Sequence, residues 1–173
     1  SSLTNLTDLC LCENQISDIS PLSKLTKLEW LAVEVSPLED ISPLSNLINL
    51  KILGLAGNQI SDISPLVKLT RLTSLCLQSN EISDISVLSS LTNLIDLRLM
   101  HNHVDDILPL IENTGLGKED SVMLGDNNLE LQEGSEDMKN VKILEDRGVI
   151  VSLDPQQSAP EKIPPGAPRP MPE

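Results

Sequence analysis

The sequence predicts an α/β solenoid, with a parallel β-sheet of short strands on its concave side and 3-10 turns on its convex side. A helix–strand cap is expected at the C-terminal end. Three observations lead there. The phrase NQISDISPL at 14–22 recurs unchanged at 58–66 and, as NEISDISVL, at 80–88. Leucines recur in step with it, every 22 residues. The 173 residues include 32 leucines, no Phe, no Tyr and one tryptophan, Trp30. An aliphatic core without aromatics implies many equivalent small slots, and a period of this length marks a stacked repeat.

Each repeat, or rung, opens on its strand. Leu9, Leu31, Leu53, Leu75 and Leu97 keep the 22-residue step, as do Leu11, Val33, Leu55, Leu77 and Leu99. Alternation makes these the inward residues of a short strand. The next column is Asn14, Ser36, Asn58, Asn80 and Asn102, with Asn127 in a sixth, shifted rung. An amide there can donate to and accept from backbone groups of its own and the next rung, so the Asn positions are expected to be structural. Ser36 can do so only in part.

Asp18, Asp40, Asp62, Asp84 and Asp106 form a further column. At a rung spacing of about 4.8 Å they are a ladder of like charges. Either each carboxylate accepts backbone N–H groups in an Asx turn, the favoured reading, or the ladder recruits cations. Ser20, Ser42, Ser64 and Ser86 follow as expected N-caps, the first three before a proline, and open one short helical turn per rung.

The rung LxxLxxLxLxxNxISDISPLSxLTN resembles the leucine-rich repeat family in its 22-residue variety, typified by bacterial internalins. The resemblance covers residues 1 to about 131, about six repeats with the first truncated. It implies that ligands bind the concave sheet and pulls the localisation towards the cell surface. Repetition also has a physical reason. The seven aliphatics of residues 3–22 cannot offset the entropy of ordering a rung alone, whereas stacking makes stability a nearest-neighbour sum.

The sixth rung, VMLGDNNLEL at 122–131, arrives three residues late because of the segment ENTGLGKED. A cap is expected over 132–153. Its helix has Ser135 as N-cap, Glu136 and Asp137 at the positive end, and Gly148 as stop, with VIVSL at 149–153 as the last strand. Residues 154–173 are proline-rich and read as a disordered tail. At the other end SSLTNLTDL repeats SSLTNLIDL of 89–97. The chain therefore begins inside a rung and is expected to be a fragment or to have lost its start.

The net charge of −14 disfavours nucleic acid and anionic membranes, and no apolar run is long enough for membrane insertion. No nucleophile with its base and no phosphate loop is found, so a non-enzyme without cofactor is expected. HNHVDD at 101–106 resembles a hydrolase metal motif, but Asn102 and Asp106 are already in repeat register and the chain has no other histidine. No metal site is therefore assigned. Cys10, Cys12 and Cys76 read as free thiols, which favours a reducing compartment. Localisation stays open between that and the surface.

The informative positions are outward columns that vary from rung to rung: Asp8, Trp30, Ile52, Ser74 and Asp96; Ala32, Gly54 and Arg98; Glu34, Gln78 and Met100; and His101 beside them. Trp30 and Ile52 are expected to form an exposed apolar pair, or Trp30 leans across its neighbours. The function expected is a monomeric, protein-recognition scaffold that binds a protein or peptide ligand on this face. The alternative is a structural spacer or accessory domain of a larger surface or signalling protein.

Overall fold

The computed structural model describes residues 3–154; the tail expected over 154–173 lies outside them, apart from Asp154. Seven strands form one parallel sheet in chain order, β1 (Asp8–Cys10), β2 (Trp30–Ala32), β3 (Ile52–Gly54), β4 (Ser74–Cys76), β5 (Asp96–Arg98), β6 (Ser121–Met123) and β7 (Ile150–Ser152). The first five strands pair at an offset of 22 residues, as Leu9 with Leu31 and Leu75 with Leu97. Between β5 and β6 the offset is 25, and Leu97 pairs with Val122. Identical rungs demand identical register, so the sheet is open, unbroken and in order.

Opposite the sheet lie the 3-10 turns Ser20–Lys24, Ser42–Asn46, Ser64–Lys68 and Ser86–Ser90, packed one on the next. The fifth rung makes a short α-helix instead, α1 (Leu108–Glu112). The inward columns fill the space between the layers. Leu31, Leu50, Leu53, Leu72, Leu75, Leu97 and Leu110 are all buried, whereas Leu9 and Leu11 of the first rung are half-buried. No rung has a core of its own, so cohesion comes from stacking.

The serines are not the caps. In the first turn Ile19 occupies the cap position, with no side-chain cap bond, and Ser20 is already helical. The capping acceptor is the aspartate two residues before the turn. Asp18, Asp40, Asp62 and Asp84 each accept the N–H of Ser20, Ser42, Ser64 and Ser86 at 2.7–2.8 Å. Asp106 does the same for Leu108 at 2.8 Å. This is an Asx turn in each of the first five rungs. These bonds hold the carboxyls of Asp18, Asp40 and Asp84 below the usual range. The repulsion of Asp18 is only the smallest influence on Asp40.

The asparagines also differ from expectation, since they tie back to the preceding rung rather than forward to the next. Asn80 Nδ2 donates to the carbonyls of Leu77, Gln78 and Leu55, and its Oδ1 accepts the N–H of Ile60 at 3.0 Å. Asn58, Asn102 and Asn127 repeat the pattern. Asn14 reaches only Leu11 and Cys12 of its own rung, and Ser36 only the Asn14 carbonyl.

The residue before each of these has left-handed backbone: Glu13, Val35, Gly57, Ser79, His101 and Asp126, at φ of 53–66°. A corner with that geometry suits glycine, yet only one of the six positions has it. A second ladder, not anticipated, runs down another column. Asn49 and Asn93 donate to Thr26 and Thr70 carbonyls, while Lys27 and Arg71 donate to the side-chain oxygens of Asn5 and Asn49.

The segment of three extra residues is held by Asn113, which is fully buried and donates to the carbonyls of Leu88 and Leu91. Helix α2 (Glu136–Asp146) follows, with the Ser135 hydroxyl accepting the Met138 N–H and Val141 and Leu144 buried. Gly148 lies at φ +90° where the chain turns into β7.

Candidate functional site

The outward columns meet on the concave face as the register requires: Asp8 beside Trp30, Trp30 beside Ile52, and Ala32 beside Gly54. Trp30 and Ile52 are half-buried rather than fully exposed. Beside them Ala32, Gly54 and Ala56 are buried, which makes a shallow floor of small residues. The Glu34 side chain lies across that floor. A Cβ added to Gly54 would stand 2.5 Å from Glu34 Oε1, so the absence of a side chain at Gly54 is what admits the carboxylate. Burial raises the Glu34 carboxyl above its ordinary value, and the charge of Arg98 only partly opposes the shift.

A second patch lies on β4 and β5. Arg98 forms an ion pair with Asp96 at 3.2 Å, and the Ser74 hydroxyl donates to the same carboxylate at 3.3 Å. Asp96 is therefore engaged within the face. Cys76 is half-buried between these groups, and burial pushes its thiol up to about 11. Gln78 is half-buried in the next column, whereas Met100 is buried. His101 is exposed at the left-handed corner, its Nδ1 2.9 Å from the Asp126 carboxylate. Asp8 is exposed at the first strand and accepts from the Thr7 hydroxyl.

The structure thus groups Trp30, Ile52, Ala32, Gly54 and Glu34 into one patch, and Ser74, Asp96 and Arg98 into another. Asp8 borders the first patch beside Trp30, whereas His101 stands apart at its corner. The placement of Glu34 over Gly54 was missed because a glycine in a variable column signals nothing until its neighbour's reach is known. Among the described residues no group of three or more His, Cys, Asp or Glu is placed to hold a metal. No helix of the described residues is long and apolar enough to cross a membrane.

Residues 70–112 match a family model of leucine-rich repeats, in two copies. Among solved structures the chain is similar to an internalin (inlF) from Listeria monocytogenes str. 4b F2365, at 36% identity and a TM-score of 0.77. That match covers 89% of this chain and 45% of the internalin. It is also similar to internalin C2 (inlC2) of the same strain, at 37% identity and a TM-score of 0.65, covering 74% and 53%. The chain spans about half the length of these two proteins. The leucine-rich repeat ectodomain of the plant receptor kinase GASSHO1/SCHENGEN3 from Arabidopsis thaliana shares the fold, at 23% identity and a TM-score of 0.68. That match covers 86% of this chain and 18% of the ectodomain. No curated protein matches the chain.

Proposed function

The chain is a leucine-rich repeat protein of the internalin-like type, and we propose that it is a recognition scaffold that binds a protein or peptide partner on its concave sheet. Leucine-rich repeat domains are commonly protein-interaction scaffolds, and those of the internalin type are generally non-enzymatic. One observation carries the finer reading. The frame residues repeat from rung to rung, whereas the concave columns hold the chain's only tryptophan beside Ile52, over a floor of small residues. A half-buried aromatic in an aliphatic protein is a suitable anchor: it adds contact area without unravelling the core when it is covered. The net charge of −14, with the Glu34 carboxylate lying across this floor, favours a basic or neutral partner.

Trp30 makes the reading testable without a label, because it is the sole indole fluorophore. A partner seated on the concave face shifts or quenches its emission. Replacing Trp30 with Ala should weaken binding about tenfold or more while melting is little changed. Val67→Arg, on the exposed 3-10 turn opposite, should bind as the wild type does. Normal binding by Trp30→Ala together with loss in Val67→Arg would place the interface on the convex side instead.

A further inference from the structure

Cys10 and Cys12 flank Leu11 on one extended stretch of the first rung. That stretch continues past β1, because the N–H groups of Leu11 and Glu13 donate to the carbonyls of Ala32 and Glu34 at 2.8 and 2.9 Å. Alternate residues of an extended chain point the same way, so both thiols lie on the concave side. There the Cys10 Sγ donates to the Cys12 Sγ across 3.1 Å. Cys10 is exposed and Cys12 half-buried. The next rung places Ala32 beside Cys10, so nothing bulky separates Cys10 from solvent. Cys76, three rungs away, has no such neighbour among the cysteines.

We infer that Cys10 and Cys12 form a reversible dithiol–disulfide centre, oxidised by small disulfides and lying on the same face as Trp30. Cys10, the exposed thiol, attacks a sulfur of the small disulfide as its thiolate. This forms a mixed disulfide and expels one small thiol. Cys12 then loses its proton to solvent and attacks the Cys10 sulfur, which releases the second small thiol and closes the internal bridge. Two protein thiols are oxidised and one small disulfide is reduced to two thiols.

Geometry sets the character of the bridge. At about 3.3 Å per residue, extended Cα atoms two positions apart lie about 6.6 Å from one another, near the top of the disulfide range. A bridge at that limit is readily reduced again. Burial, then the neighbouring Cys10, pushes the Cys12 thiol up to about 11, so the exposed Cys10 is the thiol that attacks first and Cys12 reacts only when held against the mixed disulfide.

The test uses the whole reduced chain with oxidised glutathione, followed by alkylation and tryptic digestion. Cys10 and Cys12 fall in the peptide ending at Lys24, and Cys76 falls in Leu72–Arg98. The expected product is the first peptide lighter by two hydrogens and resistant to alkylation until dithiothreitol is added. Cys12→Ser should stop at a glutathione adduct on Cys10, and Cys10→Ser should lose both the bridge and most of the adduct. Unchanged Trp30 emission and melting in both serine variants check that they fold. A wild-type chain that keeps the glutathione adduct without closing the bridge overturns the inference. So does one whose two thiols both remain alkylatable throughout.

Discussion

The side-chain amide of Asn58 lies 2.7 Å from the carbonyl oxygen of Val33, joining two rungs across 25 residues of sequence. The same nitrogen also serves Leu55 and Ala56, and the Asn58 oxygen accepts the N–H of Leu38 at 3.3 Å. One buried side chain thereby bonds four backbone groups on two rungs.

Asn58→Leu should consequently lower the stability of the chain by about 3 kcal/mol or more, since each buried group left unpaired costs about 1–3 kcal/mol. Asn14→Leu is the control. Asn14 is exposed and bonds only within its own rung, so its loss should cost about 1 kcal/mol. Chemical denaturation of both variants checks the contrast, and equal losses would contradict the inter-rung role.

Val35 stands at the left-handed corner that Gly57 occupies one rung later, with φ +53° against +66°. A branched residue there is strained by roughly 1–2 kcal/mol, and Val35 is 62% exposed, so little burial would be lost. Val35→Asn should stabilise the chain by about 1 kcal/mol, because asparagine tolerates this region. Gly57→Ala should destabilise it by a similar amount. Thermal melting of the pair decides whether the strain is real.

Gly115 is required by close approach rather than by its own turn. A Cβ there would stand 1.9 Å from the carbonyl oxygen of Thr92, a backbone atom that cannot swing away. Gly115→Ala should force α1 and the following segment off the fourth rung and destabilise by several kcal/mol, on the order of 3. Amide exchange should show the loss first around Leu88, Leu91 and Asn113, where the segment is tied down.

The aspartate column makes stability depend on acid. The carboxyls of Asp18, Asp40 and Asp84 are lowered by bonds to Ser20, Ser42 and Ser86. A lowered folded pKa means that the charged form is favoured by folding. The contribution is therefore present above the ordinary value of 3.8 and is lost as pH falls through the lowered folded values. The triple variant Asp18→Asn, Asp40→Asn, Asp84→Asn keeps an oxygen acceptor at each turn but not the titration. Its melting temperature should fall less steeply than that of the wild type below about pH 4. Parallel curves would refute the link.

How much was legible beforehand differs by residue. Leu31, Leu53, Leu75 and Leu97 declare their inward direction by spacing alone, because each rung must solve the same packing problem. The pairing of Leu97 with Val122 across the longer step into the sixth rung was legible in the same way. The asparagines were recognisable as backbone partners, but their direction was not. Which neighbouring carbonyl lies within 3 Å depends on the pitch of the coil. The αL corners were hidden because five of the six residues there are not glycine. The Asn49–Arg71 ladder left a trace in its alternation of amide and cation that single-rung reading passes over.

The solenoid, its register and the division between invariant frame and variable face follow from the 22-residue period, because a strict period leaves stacked rungs as the only economical burial of so many equal aliphatic slots. What meets what was set by packing in three dimensions: Glu34 across Gly54, Trp30 half-covered beside Ile52, Arg98 committed to Asp96, and the sulfurs of Cys10 and Cys12 in contact. Periodicity specifies where a Cα stands and which way its side chain leaves the sheet. Contacts a few ångströms long depend on how far each side chain leans, and that is settled by the neighbours that happen to leave room.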